Sequence, residues 1–329
     1  MQQQRREFLQ HAAALSGALL LPAAAGAQEA FPSKTLRIVV PNAPGGAADL
    51  TSRTIAQAIA GPLGQSVIVE NKPGAGGVVA GETVARAAAD GHTMLLVSSG
   101  TAVSEALFNK LPFDTLKDFA PVSELATFNL ALVVADNSRF KNLNELLAYA
   151  RANPGKLNLG TPQLGTTQHL AAELFKSTAR IDAQIIPLRG TPPLINALRG
   201  GQVDAGVDIV GPLMGQLTGK SLRALALLGE RHEAKLPGVP LAREAGGPLA
   251  NFNATSWNGL AVPAKTPPAA IERLNKAINE ALSQPEVRQR LTELTLHPGG
   301  STPQQLGQRL ASDVKRWGEV IERAKIPKQ

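Results

Sequence analysis

Apolar residues recur along this chain in short β-branched runs, separated by stretches with helical spacing. The run at 36–40, Leu-Arg-Ile-Val-Val, reads as a strand covered on both faces. Pro41 stops it, and Pro44-Gly45-Gly46 forms a turn of residues that tolerate unusual backbone angles. A helix opens at Ala48 or Asp49, carries Ile55, Ala58 and Ile59 as its buried stripe, and is expected to end at Gly61-Pro62. A strand, a glycine turn and a helix start aim free N–H groups and a positive dipole end at one point, where an anion can bind. An ordinary tight turn uses the same residues.

The unit repeats. Strands are expected at 66–70 and 93–97, and helices at 78–88 and 102–108, the last entered through the hydroxyl-rich Ser98-Ser99-Gly100-Thr101. A second series follows, with strands at 157–160, 185–188, 205–210 and 222–228 and helices at 143–152, 168–177, 192–199 and 211–217. Thr191 is expected to cap its helix, with Pro192 at the first helical position. Two long apolar segments without helical spacing, 119–134 and 256–263, bracket this second series. Amphipathic helices at 269–282, 285–294 and 303–324 are left to pack back on the first series. The pattern therefore predicts an α/β chain of two lobes, with doubly wound sheets joined by two crossover hinge segments. Lobe 1 takes 28–130 plus 258–329, and lobe 2 takes 131–257.

The first 27 residues stand apart. Arg5-Arg6-Glu7-Phe8-Leu9 precedes an apolar run from 12 to 25 and a small-x-small pattern at Ala25-Gly26-Ala27. Paired arginines before Phe-Leu resemble a twin-arginine export signal, so a periplasmic location is expected. An uncleaved anchor is the alternative, although the apolar run is short for a membrane span.

Composition narrows the chemistry. The chain has no cysteine, which removes disulfides, thiolate nucleophiles and Cys-based metal sites. Its histidines, at 11, 92, 169, 232 and 297, give no paired metal spacing. Net charge is +7, but it is spread thinly and aromatic residues are only 4%, which argues against nucleic acid. A diffuse positive field suits a small anion. The glycines at 74–77 do not match a dinucleotide fingerprint, because the spacing is wrong and no acidic residue follows a strand at the required distance. No Gly-x-Ser-x-Gly elbow or other nucleophile–base motif points to an enzyme. Neither a cofactor nor a metal is expected.

Longer motifs carry a resemblance. Phe-Pro-Ser-Lys-Thr-Leu-Arg-Ile-Val-Val-Pro (31–41), Pro-Gly-Gly-Ala-Ala-Asp (44–49), Val-Glu-Asn-Lys-Pro-Gly-Ala-Gly-Gly (69–77), Ala-Asp-Gly-His-Thr (89–93) and Leu-Lys-Asp-Phe-Ala-Pro-Val (116–122) appear in that order. They are followed by Pro-Gly-Lys-Leu-Asn (154–158), His-Leu-Ala-Ala-Glu-Leu-Phe (169–175), Gly-Gly-Gln-Val-Asp (200–204), Ser-Trp-Asn-Gly-Leu (256–260) and Gly-Ser-Thr-Pro (300–303). The series resembles the periplasmic solute-binding receptors of tripartite tricarboxylate transporters, also called Bug receptors. The resemblance implies a type II Venus-flytrap fold that closes around a small organic acid. It also implies a carboxylate held mainly by loop N–H groups, hydroxyls and water.

Mapped onto this chain, the resemblance places first-lobe contacts at Asn42, Gly46, Ala47, Asp49, Ser98 and Thr101. Second-lobe contacts fall at Gln163, Thr166, Thr167, His169, Arg189, Gly190, Thr191 and Asp208. Each has a plainer reading as well: Asp49 and Thr191 as helix caps, His169 as a backbone partner, Arg189 as a surface ion pair, and Trp257 as core. Three places depart from the family pattern, at 162–167, 187–190 and 207–209. There Leu164, Leu188, Val207 and Ile209 make the second wall more apolar, and Arg189 is its only nearby cation. An acid with one carboxylate and a hydrophobic body is the expected ligand, unless Arg189 turns into the cleft and clamps a second carboxylate. The implied partners are membrane permease subunits, with the receptor itself a monomer. The alternatives are a sensor that presents its closed form to a signalling protein and, at greater distance, a periplasmic enzyme.

Overall fold

The computed structural model describes residues 31–329, so the export signal expected at 1–27 lies outside the described residues. Strands β1 (Leu36–Val40), β2 (Val67–Asn71), β3 (Thr93–Ser98), β4 (Phe119–Phe128), β10 (Ser256–Pro263) and β11 (His297–Pro298) form one sheet. Its order is β11-β4-β10-β3-β1-β2. Strands β5 (Leu130–Ala135), β6 (Leu157–Thr161), β7 (Ala183–Pro187), β8 (Ala205–Ile209) and β9 (Leu222–Leu227) form the other, in the order β7-β6-β8-β5-β9.

Helices cover both faces of each sheet, which is why strands such as β5, buried at all six positions, read as continuous apolar runs. On one face of the first sheet lie α1 (Ala47–Leu63), α8 (Pro268–Ser283) and α9 (Pro285–Glu293), around Ile38, Leu96, Ile55 and Ile278. On the other lie α2 (Val78–Ala85), α3 (Ser99–Leu107) and α10 (Pro303–Arg323), around Val97, Trp257 and Trp317. The three C-terminal helices thus return to the first sheet, as their amphipathic spacing requires. In the second sheet, α4 (Leu143–Ala152) and α5 (Thr167–Ala179) cover one face, and α6 (Thr191–Arg199) and α7 (Val210–Thr218) cover the other. Among the described residues, no helix is long and apolar enough to cross a membrane.

Several local expectations need correction. The apolar segment 119–134 is two strands in different sheets, broken at Asn129. Helix α1 runs past Gly61-Pro62 to Leu63. Pro62 falls in the last turn, and Gly64, at φ 68°, closes the helix by donating to the Gly61 and Ala60 carbonyls. The cap of α1 is Gly46, three residues before Asp49. Gly190 likewise precedes α6, which makes Thr191 the first helical residue and not the cap.

Topology fixes where loops converge. The carboxyl end of β4 and the amino end of β5 meet at Asn129. Strands β3 and β4 are both antiparallel to β10, and β1 is parallel to β3, so all three end toward that crossover. In the other sheet, β8 is antiparallel to β5 and parallel to β6, and β6 is parallel to β7. Their carboxyl ends return to the same crossover. The loops after β1, β3, β6, β7 and β8 therefore face one another across the junction of the sheets.

Candidate functional site

The loop after β1 spans 41–46 and leads into α1. Gly45 adopts φ 86°, whereas Gly46 is extended at φ −82°. The need for glycine's backbone freedom therefore sits at Gly45. At Gly46 the requirement is space: an added Cβ would meet only the Ala43 carbonyl oxygen, at 3.9 Å, and would otherwise project outward. No side chain caps the first turn of α1, which leaves its leading N–H groups and positive dipole end available to an anion.

Asp49 holds this loop from below. Its carboxylate accepts from the Gly45 amide (2.9 Å), from Arg53 Nε (3.0 and 3.1 Å) and from Asn71 Nδ2 (2.9 Å). Asn71 also donates to the Asn42 carbonyl at 3.0 Å. Burial pushes the Asp49 pKa up, but these hydrogen bonds and the Arg53 charge bring it net below the usual carboxylate value. Asp49 is 2% exposed, so it acts on the loop rather than through its own accessible surface. Thr51, in the second turn of α1, accepts from Asn258 of β10 at 3.2 Å, which fixes the helix to the sheet beneath.

The neighbouring loop ends in a cap built from hydroxyls. Ser98 accepts from the Gly100 amide at 3.1 Å, and Thr101 accepts from the Ser98 amide at 3.0 Å. Both retain a hydroxyl hydrogen to donate. Thr101 lies with Pro41 and Gly77 around a small void of about 20 Å3 in the first lobe.

Across the junction, the loop 162–166 begins at buried Pro162 and carries exposed Gln163 and Leu164, the latter 43% exposed. Thr166 caps α5 by accepting from the His169 amide at 3.3 Å and donates to the Gln163 carbonyl at 2.8 Å, so its hydroxyl is engaged within the loop. The loop after β7 is tied to it by Leu188 N–H to Thr161 (2.8 Å) and Gly190 N–H to Pro162 (2.7 Å). Gly190 has φ 112°, a conformation that side chains resist. Arg189 is exposed between them.

Asp208, with no exposed surface, organises this wall. It accepts from the Thr191 hydroxyl (2.6 Å), Gln168 Nε2 (3.1 Å) and the Ile209 amide (2.8 Å), and so joins the starts of α5, α6 and α7. Burial pushes its pKa up, against the pull of these three bonds. The structure thus spends Asp208 and Thr191 on each other. Thr167 and His169 are also buried. His169 Nδ1 has no partner within the described residues, and burial lowers the imidazole pKa to about 4, so the ring is neutral near pH 7.

Of the apolar residues expected in this wall, Leu164, Leu188 and Ile209 retain exposed surface, but Val207 belongs to the core under α5. Trp257 is core as well: its ring is fully buried and its indole donates to Asp313 at 2.7 Å. The supporting residues Arg53, Asn71, Gln168 and Asn258 were not singled out from the sequence. Two of them, Asn71 and Asn258, lie inside motifs already quoted; a polar residue ending β2 and one inside the largely apolar β10 are the available signals.

The two loop sets approach closely. A Cβ at Gly165 would lie 2.6 Å from a Leu107 methyl of α3, and Leu170 of α5 packs within the Trp257 cluster of the first sheet. Groups able to bind a carboxylate here are backbone amides, hydroxyls and the exposed guanidinium of Arg189, while the Arg53 guanidinium is engaged by Asp49.

A family model described as "Tripartite tricarboxylate transporter family receptor" matches residues 51–326. Solved structures agree along nearly the whole chain. The periplasmic binding protein BugD is 28% identical, with a TM-score of 0.76, covering 91% of this chain and 100% of its own. MatC from Rhodopseudomonas palustris with bound malate is 34% identical, with a TM-score of 0.75 and 88% and 100% coverage. A second R. palustris protein, solved with adipate, is 28% identical, with a TM-score of 0.79 and 90% and 99% coverage. The fold is accordingly that of the two-lobed periplasmic binding proteins, and this chain belongs to the receptor family of the tripartite tricarboxylate transporters.

Proposed function

We propose that this protein is a monomeric periplasmic receptor that captures a small organic acid between its lobes and delivers it to membrane permease subunits. Lobe 1 comprises 28–130 plus 258–329 and lobe 2 comprises 131–257. Closure is a rotation about the two crossovers. The observation that carries this reading is the uncapped first turn of α1, with open space at Gly46, facing the loops of the other lobe. A carboxylate seated there is neutralised by amides and a helix dipole, not by a paired cation. Related proteins were solved with malate and with adipate, both small carboxylates. The expected contacts act at two levels. Asn42, Gly46, Ala47, Ser98, Thr101, Gln163, Arg189 and Gly190 border the ligand, while Asp49, Thr166, Thr167, His169, Thr191 and Asp208 shape the loops that do.

A thermal-shift screen of mono- and dicarboxylates tests the reading. A ligand at 100 times its dissociation constant adds about 2.7 kcal/mol to the folded state. A raised melting temperature with at least one carboxylate is expected, and none across the panel contradicts the proposal.

A further inference from the structure

The cleft described above lies on one side of the crossovers, toward β3, β1 and β2 in one sheet and β8, β6 and β7 in the other. The opposite side carries β11 beyond β4, and the segment that leaves β9 beyond β5. A rotation that closes the front must therefore part the rear, as on a seesaw. A polar cavity of about 120 Å3 sits at this rear junction, with Thr127, Asn129, Arg231, Thr255 and His297 among its walls.

One carboxylate bridges the junction. Glu233 follows β9, in a segment whose Leu236, Val239 and Leu241 pack on the lobe-2 face covered by α6 and α7. Its Oε1 accepts from Asn129 Nδ2 at 2.8 Å and shares a hydrogen bond with His297 Nε2 at 2.9 Å. Asn129 is the single residue between β4 and β5, and His297 belongs to β11, paired opposite Thr127 of β4. Glu233 is 4% exposed and Asn129 2%, so both side chains are enclosed at the junction. The return crossover starts at the same point: a Cβ at Gly229, just after β9, would press on Asn129 Oδ1 and lie 2.9 Å from Oγ1 of Thr255, the residue that leads into β10. Both crossovers and the rear edge of lobe 1 are thus held around Glu233.

We propose that Glu233 is a positioning residue for lobe closure: by binding Asn129 at the pivot and His297 behind it, it tethers the rear edges and limits how far the front can close. The adjoining cavity gives these side chains room to separate when the lobes rotate. The proposal rests on the receptor reading only in taking lobe rotation as the working motion.

Single-molecule energy transfer on the ligand-free protein tests it. Because the native chain has no cysteine, Ser66→Cys and Gln184→Cys place one dye beside β2 and one on β7, both exposed and at the front edges. Glu233→Leu and His297→Leu should each raise the mean transfer efficiency. The double variant should show no more than the larger single effect, because both remove the same tether. If Glu233→Leu fails to fold, His297→Phe leaves Asn129 its acceptor and carries the same expectation. Efficiencies that stay unchanged or fall, or single effects that add in the double variant, overturn the proposal. The measurement uses no ligand, so its failure leaves carboxylate capture standing, and a failure of carboxylates to bind leaves it readable.

Discussion

The two walls of the cleft each depend on a buried aspartate, and they solve the same problem with opposite electrostatics. Asp49 lies one turn inside α1 with the Arg53 guanidinium, 48% exposed, against it. Asp208, next to last in β8, has three neutral donors and no exposed surface. The first is held as a carboxylate below its ordinary pKa, and the second is pushed above it by burial. A charge beside solvent and a cation is cheap to keep, whereas a charge among neutral donors remains only while each bond is made. The lobe-1 wall is therefore the one better able to tolerate change, and the lobe-2 wall the one that fails as a unit.

Truncation should expose that difference most strongly. Asp208→Ala strands the Thr191 hydroxyl, the Gln168 amide and the Ile209 N–H together, and should cost about 3 kcal/mol in denaturant unfolding. Asp49→Ala, whose partners can turn to water, should cost about 1 kcal/mol. Equal losses would remove the contrast. The pH dependence should separate the two in sign. Asp49 has a lowered folded pKa, so its contribution is present above the unfolded value and is lost as pH falls through the folded one. Asp208 has a raised folded pKa, so its contribution is full below the unfolded value and declines as pH rises through the folded one. Asp49→Asn should thus remove a rising limb of stability through the carboxylate range, and Asp208→Asn a falling one.

A smaller effect belongs to His169. Its folded pKa of about 4 lies below the ordinary imidazole value of 6.5, so the unfolded chain takes up a proton first as pH drops. Stability from the neutral ring is full above about 6.5 and is lost progressively toward 4. His169→Leu should flatten that interval in urea titrations, and an unaltered slope would place its source elsewhere.

The smallest expected change in stability is at Arg189, an exposed position where truncation should fall within about 0.5 kcal/mol. Its value is as a test of the ligand. With Leu164, Leu188 and Ile209 retaining exposed surface in the same wall, a branched or aromatic monocarboxylate should bind more tightly than malate, and Arg189→Ala should keep that order. Tighter malate binding that disappears in the variant would assign Arg189 as a clamp for a second carboxylate.

Elements and their order were legible because strands covered on both faces and amphipathic helices leave different periods in the chain. Helix α4 (Leu143–Ala152) matches its expected bounds at both ends, since Asn142 caps it from a side chain. Errors fell where caps are glycines: at Gly46 and Gly190 the backbone does the work, and the nearby Asp49 and Thr191 drew the assignment instead. The break at Asn129 was hidden because β4 and β5 form one apolar run, and a single buried asparagine does not interrupt it. The loops of the site were legible as strand-to-helix turns. Which side chains face the cleft was not, because Asp208, Thr191 and Gln168 are satisfied by one another across three elements, a relation that spacing along the chain does not encode.

Carboxylate capture in this protein depends, in the proposed function, on the open first turn of α1. Isothermal titration of Gly46→Val tests it most directly, with the carboxylate that gives the largest thermal shift on the unaltered protein. Gly46 is extended and a Cβ there meets nothing closer than 3.9 Å, so the variant should fold with an unchanged melting temperature in the absence of ligand. Its side chain would fill the space in front of the amides, and binding should weaken by at least about 100-fold, or roughly 2.7 kcal/mol. Affinity equal to that of the unaltered protein, in a variant that folds, would contradict the claim.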